Sequence, residues 1–460
     1  MKKLCIVLAL VCLVGCSPNT DRPEKPGQQA EANTQEYDLY LYESDSRNLA
    51  IDVAGNVVME IDDGQMSILS RDGRSVGISV ERTEGRVTDE WGWVQPKHYR
   101  CDIYDVTGSF RYSLPVRYAN LFDELIIGYN PSAGATQVYR WSDGKLLFDD
   151  VHAHYVLGET HFINQTAWES PGMFLNGDGT VLSKMPEQYT QIGSALDQYM
   201  IVAENGLQGL MDCNGTLVLP CEYLSITSTS EDCVFVQTES EWQALNPETG
   251  EILFRNDHSI HTLLEDCAIV AVGEEYGDYE LVDLNGNRLL DRQFQWATVH
   301  YEGDKIIIEA PINDYFGRIL FTTDGTILYE TEDDGYLVIL SDTKIMKSVY
   351  RSDATEWTII DLEDGTEQAM DNSAGQYYYE LYSTDGEEKG YLCCGKTNAQ
   401  GWYRTDIVDL EGNVVLGDLQ DYFYRGNGVF QCRLGFRSGL LRLDGTWLYE
   451  ESTFSGLNDN

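Results

Sequence analysis

Two groups of polar side chains are spaced as if for chemistry. The first pairs carboxylates with amides: Asp212 and Asn214 in Asp-Cys-Asn-Gly, Asp283, Asn285 and Asn287 in Asp-Leu-Asn-Gly-Asn, and Asn176 and Asp178 in Asn-Gly-Asp-Gly. Alternating oxygens of this kind open a calcium-binding loop, but such a loop also needs a bidentate Glu at position 12. None of the three segments supplies that Glu in register. Tight hairpin turns use the same residues, because Asn-Gly and Asp-Gly accept positive φ. The expected role of Asp212, Asn214 and Gly215, and equally of Gly250 and Gly286, is therefore to turn the chain. The second group is histidine. On a strand His152 and His154 would share one face, with His161 seven residues on. Two imidazoles can begin a metal site, yet no third ligand stands at a telling spacing and no His-Glu-x-x-His occurs. These three, with His258 and His261, are read as ordinary core or surface histidines, and no metal site is predicted.

No Gly-x-Ser-x-Gly, phosphate-binding loop or dinucleotide fingerprint occurs, and no cofactor is expected. Carboxylate pairs of the kind that hydrolyse glycosides abound in so acidic a chain, but no spacing singles one out. Eight cysteines follow residue 100: Cys101, Cys213, Cys221, Cys233, Cys267, Cys393, Cys394 and Cys432. Cys233 and Cys267 occupy equivalent Glu-Asp-Cys positions 34 residues apart, which suits small buried apolar residues better than a bridge. Cys213 and Cys221 flank one hairpin and could form a local pair; adjacent Cys393 and Cys394 could bond to each other only with strain.

The N-terminus carries an address. Met1-Lys2-Lys3 is basic and Leu4–Val14 is an apolar run of 11 residues, short of the ~20 needed to span a bilayer, as in a secretory signal. It ends in Leu13-Val14-Gly15-Cys16, which resembles the bacterial lipoprotein box. That resemblance implies removal of residues 1–15 and lipidation of Cys16, with attachment to the extracytoplasmic face of a bacterial cell membrane. Acyl chains contribute about 0.8 kcal/mol per buried CH₂ and can hold a protein without a spanning helix. Residues 16–36 come next, with three Pro and no apolar periodicity. They read as a disordered tether with a mean reach of roughly 25 Å.

The remainder, residues 37–460, is punctuated at a steady interval. Turn glycines fall at Gly73, Gly108, Gly144, Gly179, Gly215, Gly250, Gly286, Gly325, Gly365, Gly412 and Gly445, with intervals of 35 or 36 as far as Gly286 and 33 to 47 beyond it. Gly55, 18 residues before Gly73, breaks the register, so the first unit is expected to be atypical. Short Val, Ile, Tyr and Phe runs separated by Gly, Asn and Asp give about four strands per unit, the content of a propeller blade. In the best copy, Gly209–Ile226, Pro220 closes or edges a strand and Tyr223 anchors the hairpin.

Gly209–Ile226 resembles the bacterial WG-type repeat. Ala244–Phe254, Ala-Leu-Asn-Pro-Glu-Thr-Gly-Glu-Ile-Leu-Phe, resembles the quinoprotein-type propeller motif with Asn246 for Asp and Phe254 for Trp. Both resemblances imply propeller-like architecture, and neither implies a bound quinone. The expected fold is all-β, a propeller-like array of about eleven antiparallel units in one or two propellers, with a seam expected near residues 290–300.

Charge narrows the partners. Lys plus Arg is 31 against 76 Asp plus Glu, a net charge of −45. Such a chain repels phosphate backbones, so nucleic acid is not an expected partner. The function expected from sequence is a non-enzymatic, lipid-anchored envelope protein that presents a surface to protein or glycan partners. The alternative is an extracellular carbohydrate-active hydrolase or lyase using carboxylates at a propeller mouth.

Overall fold

The computed structural model describes residues 38–451, apart from 45–46, 89–93, 166–170, 197, 229–232, 274–277, 313–316, 334, 351–354, 371–375, 381–389 and 398–400. Among the described residues there are 41 strands and no helix. The strands form short antiparallel sheets in strict chain order, each strand paired with its sequence neighbour. In order, the sheets span residues 39–61, 65–114, 120–151, 153–184, 190–223, 225–256, 260–283, 298–331, 335–369, 377–419 and 420–451. The last two share one strand, Val414–Tyr424, which pairs with the strand before it through Val414–Leu419 and with the strand after it through Gln420–Tyr424. The fold is therefore an all-β, propeller-like array of eleven units.

Two units show three strands rather than four among the described residues. Among those residues the first sheet has three strands, with none before Leu39–Glu43. The seventh also has three, and isolated bridges Val282–Arg288 and Tyr279–Phe294 stand where a fourth strand would run.

Middle strands are apolar on both faces because each sheet is covered on both. Cys267–Ala271 is buried throughout. Alternation sends Cys267 and Ile269 toward the eighth sheet and Ala268 and Val270 toward the sixth. Fourth strands carry little buried surface: Val181–Lys184 and Glu367–Ala369 contain no buried residue. The core is thus a series of separate apolar layers, one between each successive pair of sheets, in the manner of repeat proteins. Leu290 and Phe294 lie in the layer between the seventh and eighth sheets with Ile308 and Phe321.

The series returns to its start. Tyr42, Leu49 and Ile51 of the first sheet share a buried layer with Val429, Leu440 and Leu448 of the last. Polar contacts reinforce it. Gln431 accepts a hydrogen bond from the main-chain amide of Glu43 (3.2 Å) and donates to its carbonyl (2.6 Å). The Tyr42 hydroxyl donates to Glu451 Oε2 at 2.6 Å.

The structure corrects the register read from the turns. Gly108, Gly144 and Gly179 each lie in the hairpin between the third and fourth strands of a sheet, and so does Gly55 in its shortened sheet. Gly73 instead joins the first two strands of the second sheet. Gly55, not Gly73, opens the series. The cause is the long hairpin Arg74–Thr88/Val94–Asp105, paired as far as Thr88–Val94, which stretches the interval from Gly55 to Gly108 to 53 residues.

Candidate binding rim

Antiparallel order divides the array into two rims. Third-to-fourth hairpins with their turn glycines lie on one, and second-to-third hairpins on the other. Close contacts show that successive sheets keep the same orientation. A Cβ on Gly108 would lie 2.3 Å from the Val58 carbonyl oxygen of the preceding sheet, and one on Gly325 2.4 Å from that of Leu289. The chain enters the first sheet on the glycine rim, where the Leu39 amide donates to Ser75 Oγ at 3.1 Å, beside the Gly73 turn.

Exposed aromatic side chains stand on both rims: Phe110, Tyr301 and Phe423 beside turns of the glycine rim, and a second group on the opposite one. Trp242, Tyr279 and Tyr403 begin third strands. Trp296 precedes the eighth sheet and carries the Arg318 guanidinium 5.1 Å from its ring centre. Phe436, at a second-to-third turn, is 82% exposed. In the tenth sheet Tyr377 stacks on Tyr379 and Tyr403 at 5.7 and 5.9 Å, with planes within 21° and 20°, and its hydroxyl donates to that of Tyr403. Gly395 permits this: a Cβ there would lie 2.5 Å from the Tyr377 ring and from Tyr403 Oη. Tyr378, one residue on, faces the other way into the core.

On the same rim, between the sixth and seventh sheets, opens a cavity of about 460 Å³. Its walls are the turn Gln237–Trp242, the connection Asp257–Ser259, and Ala271, Gly273 and Tyr279. The turn is fixed by Thr238, whose Oγ1 accepts from the amide of Glu241 at 3.0 Å and donates to its carbonyl at 2.8 Å. The Ala271 amide donates to the Ser259 carbonyl at 2.9 Å and ties the connection to the seventh sheet. Glu241 is held by Arg255 and by Gln243 Nε2 at 2.7 Å. His261 meets Tyr279 edge-on at 5.2 Å, and burial pushes its pKa down.

The residues singled out in the sequence fall elsewhere. Cys16 lies outside the described residues. Asp212 caps its turn: Oδ1 accepts from the amides of Asn214 (2.9 Å) and Thr216 (2.8 Å), and Oδ2 from the Asn214 side chain (3.3 Å). Gly215 turns there at φ 78°, Gly250 at 68° and Gly286 at 81°. Pro220 is exposed on the outermost strand of the fifth sheet, and Tyr223 is buried against Ile226 and Val234 of the sixth. Asp52, Asp105, Asp283 and Asp409 make the same contacts with amides two and four residues on.

His152 does not pair with His154. It stands before the strand Ala153–Leu157, with Nε2 3.4 Å from Asp150. His154 Nε2 is instead 3.1 Å from His161 Nδ1, whose other nitrogen is 3.0 Å from Asp123 Oδ2. Antiparallel pairing of their strands brings together residues that a single-strand reading separates. Burial, then the neighbouring His161, pushes the His154 pKa down to about 3. The three groups form a chain rather than a convergent cage. Among the described residues no cluster of three His, Cys, Asp or Glu is placed to hold a metal.

All eight described cysteines are free, Cys213 and Cys221 included. Burial raises the Cys101, Cys267 and Cys432 thiols to about 12.

No family model and no curated protein matches the sequence. Similar solved structures include a eukaryotic initiation factor (9% identity, 69% of this chain and 94% of the other, TM-score 0.38). Others are the dihydro-heme d1 dehydrogenase NirN (11% identity, 69% and 71%, TM-score 0.29) and AztD of Citrobacter koseri (11% identity, 72% and 92%, TM-score 0.28).

Proposed function

We propose that this chain is a lipid-anchored protein of the bacterial cell envelope whose propeller-like array presents a binding rim to protein or glycan partners and performs no reaction of its own. The observation that carries the proposal is where the chain enters the array. Leu39 enters on the glycine rim, opposite the rim that holds Phe436, the stacked Tyr377, Tyr379 and Tyr403, and the cavity. Exposed aromatic rings at strand ends suit partner contacts, because they bring large area at little cost in side-chain entropy.

Two experiments test this. Cys16→Ser is expected to abolish fatty-acid labelling and release the protein from membranes; labelling that persists would remove the anchor. A photo-crosslinking residue at Phe436, or at Trp402, which is 65% exposed just before the third strand of the tenth sheet, is expected to capture envelope partners in cells, while one at Asn214 on the glycine rim captures few. Equal capture from both rims would overturn the assignment.

A further inference from the structure

We infer that the cavity between the sixth and seventh sheets is a saccharide site, built to take a non-anionic pyranose unit of a glycan chain. The inference rests on the binding reading above and names the ligand chemistry of one place on that rim. At about 460 Å³ the cavity falls within the range of small-molecule sites, ~300–1,000 Å³. Its lining combines what a sugar needs. Trp242 and Tyr279 supply aromatic surface against which the C–H face of a pyranose can pack. Gln237, Ser240 and Ser259 offer amide and hydroxyl groups for sugar hydroxyls.

Charge sets the class. Among the described residues three carboxylates, Glu239, Glu241 and Asp257, line the cavity. Arg255 and Gln243 occupy Glu241. Glu239 and Asp257 have no side-chain partner among the described residues. They can accept from ring hydroxyls or from an ammonium, and they repel a uronate, sulfate or phosphate. The chain's net charge of −45 acts in the same direction. The walls are also preformed. Gln237 and Trp242 are paired across the ladder, Trp242 pairs with Asn256 on its other side, and Trp242 packs on the buried layer containing Phe254 and Val270. A ligand would meet groups already held in place, which lowers the ordering cost of binding.

The test uses the detergent-solubilised full chain, fluorescently labelled, on an array of neutral, amine-bearing and uronate-bearing oligosaccharides. Retention is expected on neutral or amine-bearing glycans and not on uronates. Ser240→Trp fills the mouth from an exposed turn and should weaken retention at least tenfold, with the melting temperature unchanged. The double variant Glu239→Gln/Asp257→Asn should reduce the preference for amine-bearing over neutral glycans. Retention of no glycan, or retention that survives Ser240→Trp, would overturn the site. Crosslinking from Phe436 or Trp402 can still succeed in that case, so failure here is distinguishable from failure of the wider binding role.

Discussion

Gly55, in the first sheet, lies directly on the main chain of Leu448 in the last: a Cβ at Gly55 would stand 2.1 Å from the Leu448 carbonyl oxygen. Gly55 also has φ 88°. Two demands meet at one residue, a left-handed turn and a close approach of backbone to backbone. Gly250 faces only the first, since nothing lies within 4 Å of its Cβ position. Gly250→Ala is therefore expected to cost about 1–2 kcal/mol, the penalty of left-handed backbone for a residue with a side chain. Gly55→Ala adds the overpacking term and should cost about 3 kcal/mol or more. Urea denaturation of the two variants measures the difference; equal losses would mean that Gly55 does not press on Leu448.

Gln431 is the second link between the two ends. It satisfies both main-chain groups of Glu43, as a neighbouring strand would. Gln431→Leu leaves an amide and a carbonyl to water and should cost about 1–3 kcal/mol. Hydrogen exchange should rise across Leu39–Glu43 and Val429–Leu434 and stay unchanged in the fifth and sixth sheets, because each layer contacts only its neighbours. Uniform loss of protection across the array would contradict this local coupling.

The cysteines give a chemical readout of burial. Six of the eight described thiols are buried, and Cys213 and Cys221 are half-buried. A thiol reagent applied to the folded protein should modify Cys213 and Cys221 first and the others only on unfolding, since buried thiols are inert. Under denaturing, non-reducing conditions all eight should react. A smaller number would reveal a bridge.

The architecture was legible because local chemistry repeats. The Asp-x-x-Gly turns, the doubly apolar second strands and the acidic corners before them recur in most units and survive as sheets. What misled was register. Gly73 mimics a turn of the series because an ordinary hairpin glycine happens to stand 35 residues before Gly108, while the long hairpin between them displaces the true member, Gly55. The histidines failed for a related reason. Spacing along one strand suggested His152 with His154, but pairing between strands selects His161. The cavity had no signature at all. Its walls come from two sheets, and only packing of the sixth on the seventh sets Trp242 near Tyr279.

That histidine chain sets a pH dependence whose sign can be worked out. Burial, then the proximity of His161, holds the His154 pKa near 3. Burial also lowers His161, although Asp123 pulls it back up. In the unfolded chain imidazoles titrate near 6.5. Above that pH neither state binds the proton, and the contribution of the neutral pair is fully present. As pH falls below 6.5 the unfolded chain takes up a proton that folded His154 refuses, so stability is lost progressively toward pH 3, by at most about 1.4 kcal/mol per pH unit for that residue. Turn carboxylates enter later. Asp283 is held below the usual range by hydrogen bonds from the Asn287 side chain and amide, and its contribution is lost only below about pH 4. Relief of the molecule's negative charge on acidification acts on every variant alike, so the comparison is made as a difference. His154→Gln keeps a polar group beside His161 but cannot titrate. Relative to this variant, the native chain should lose stability between pH 7 and 4.5 in denaturant titrations. A difference that stays constant across that window would mean that His154 is protonated in the folded protein as readily as in the unfolded one.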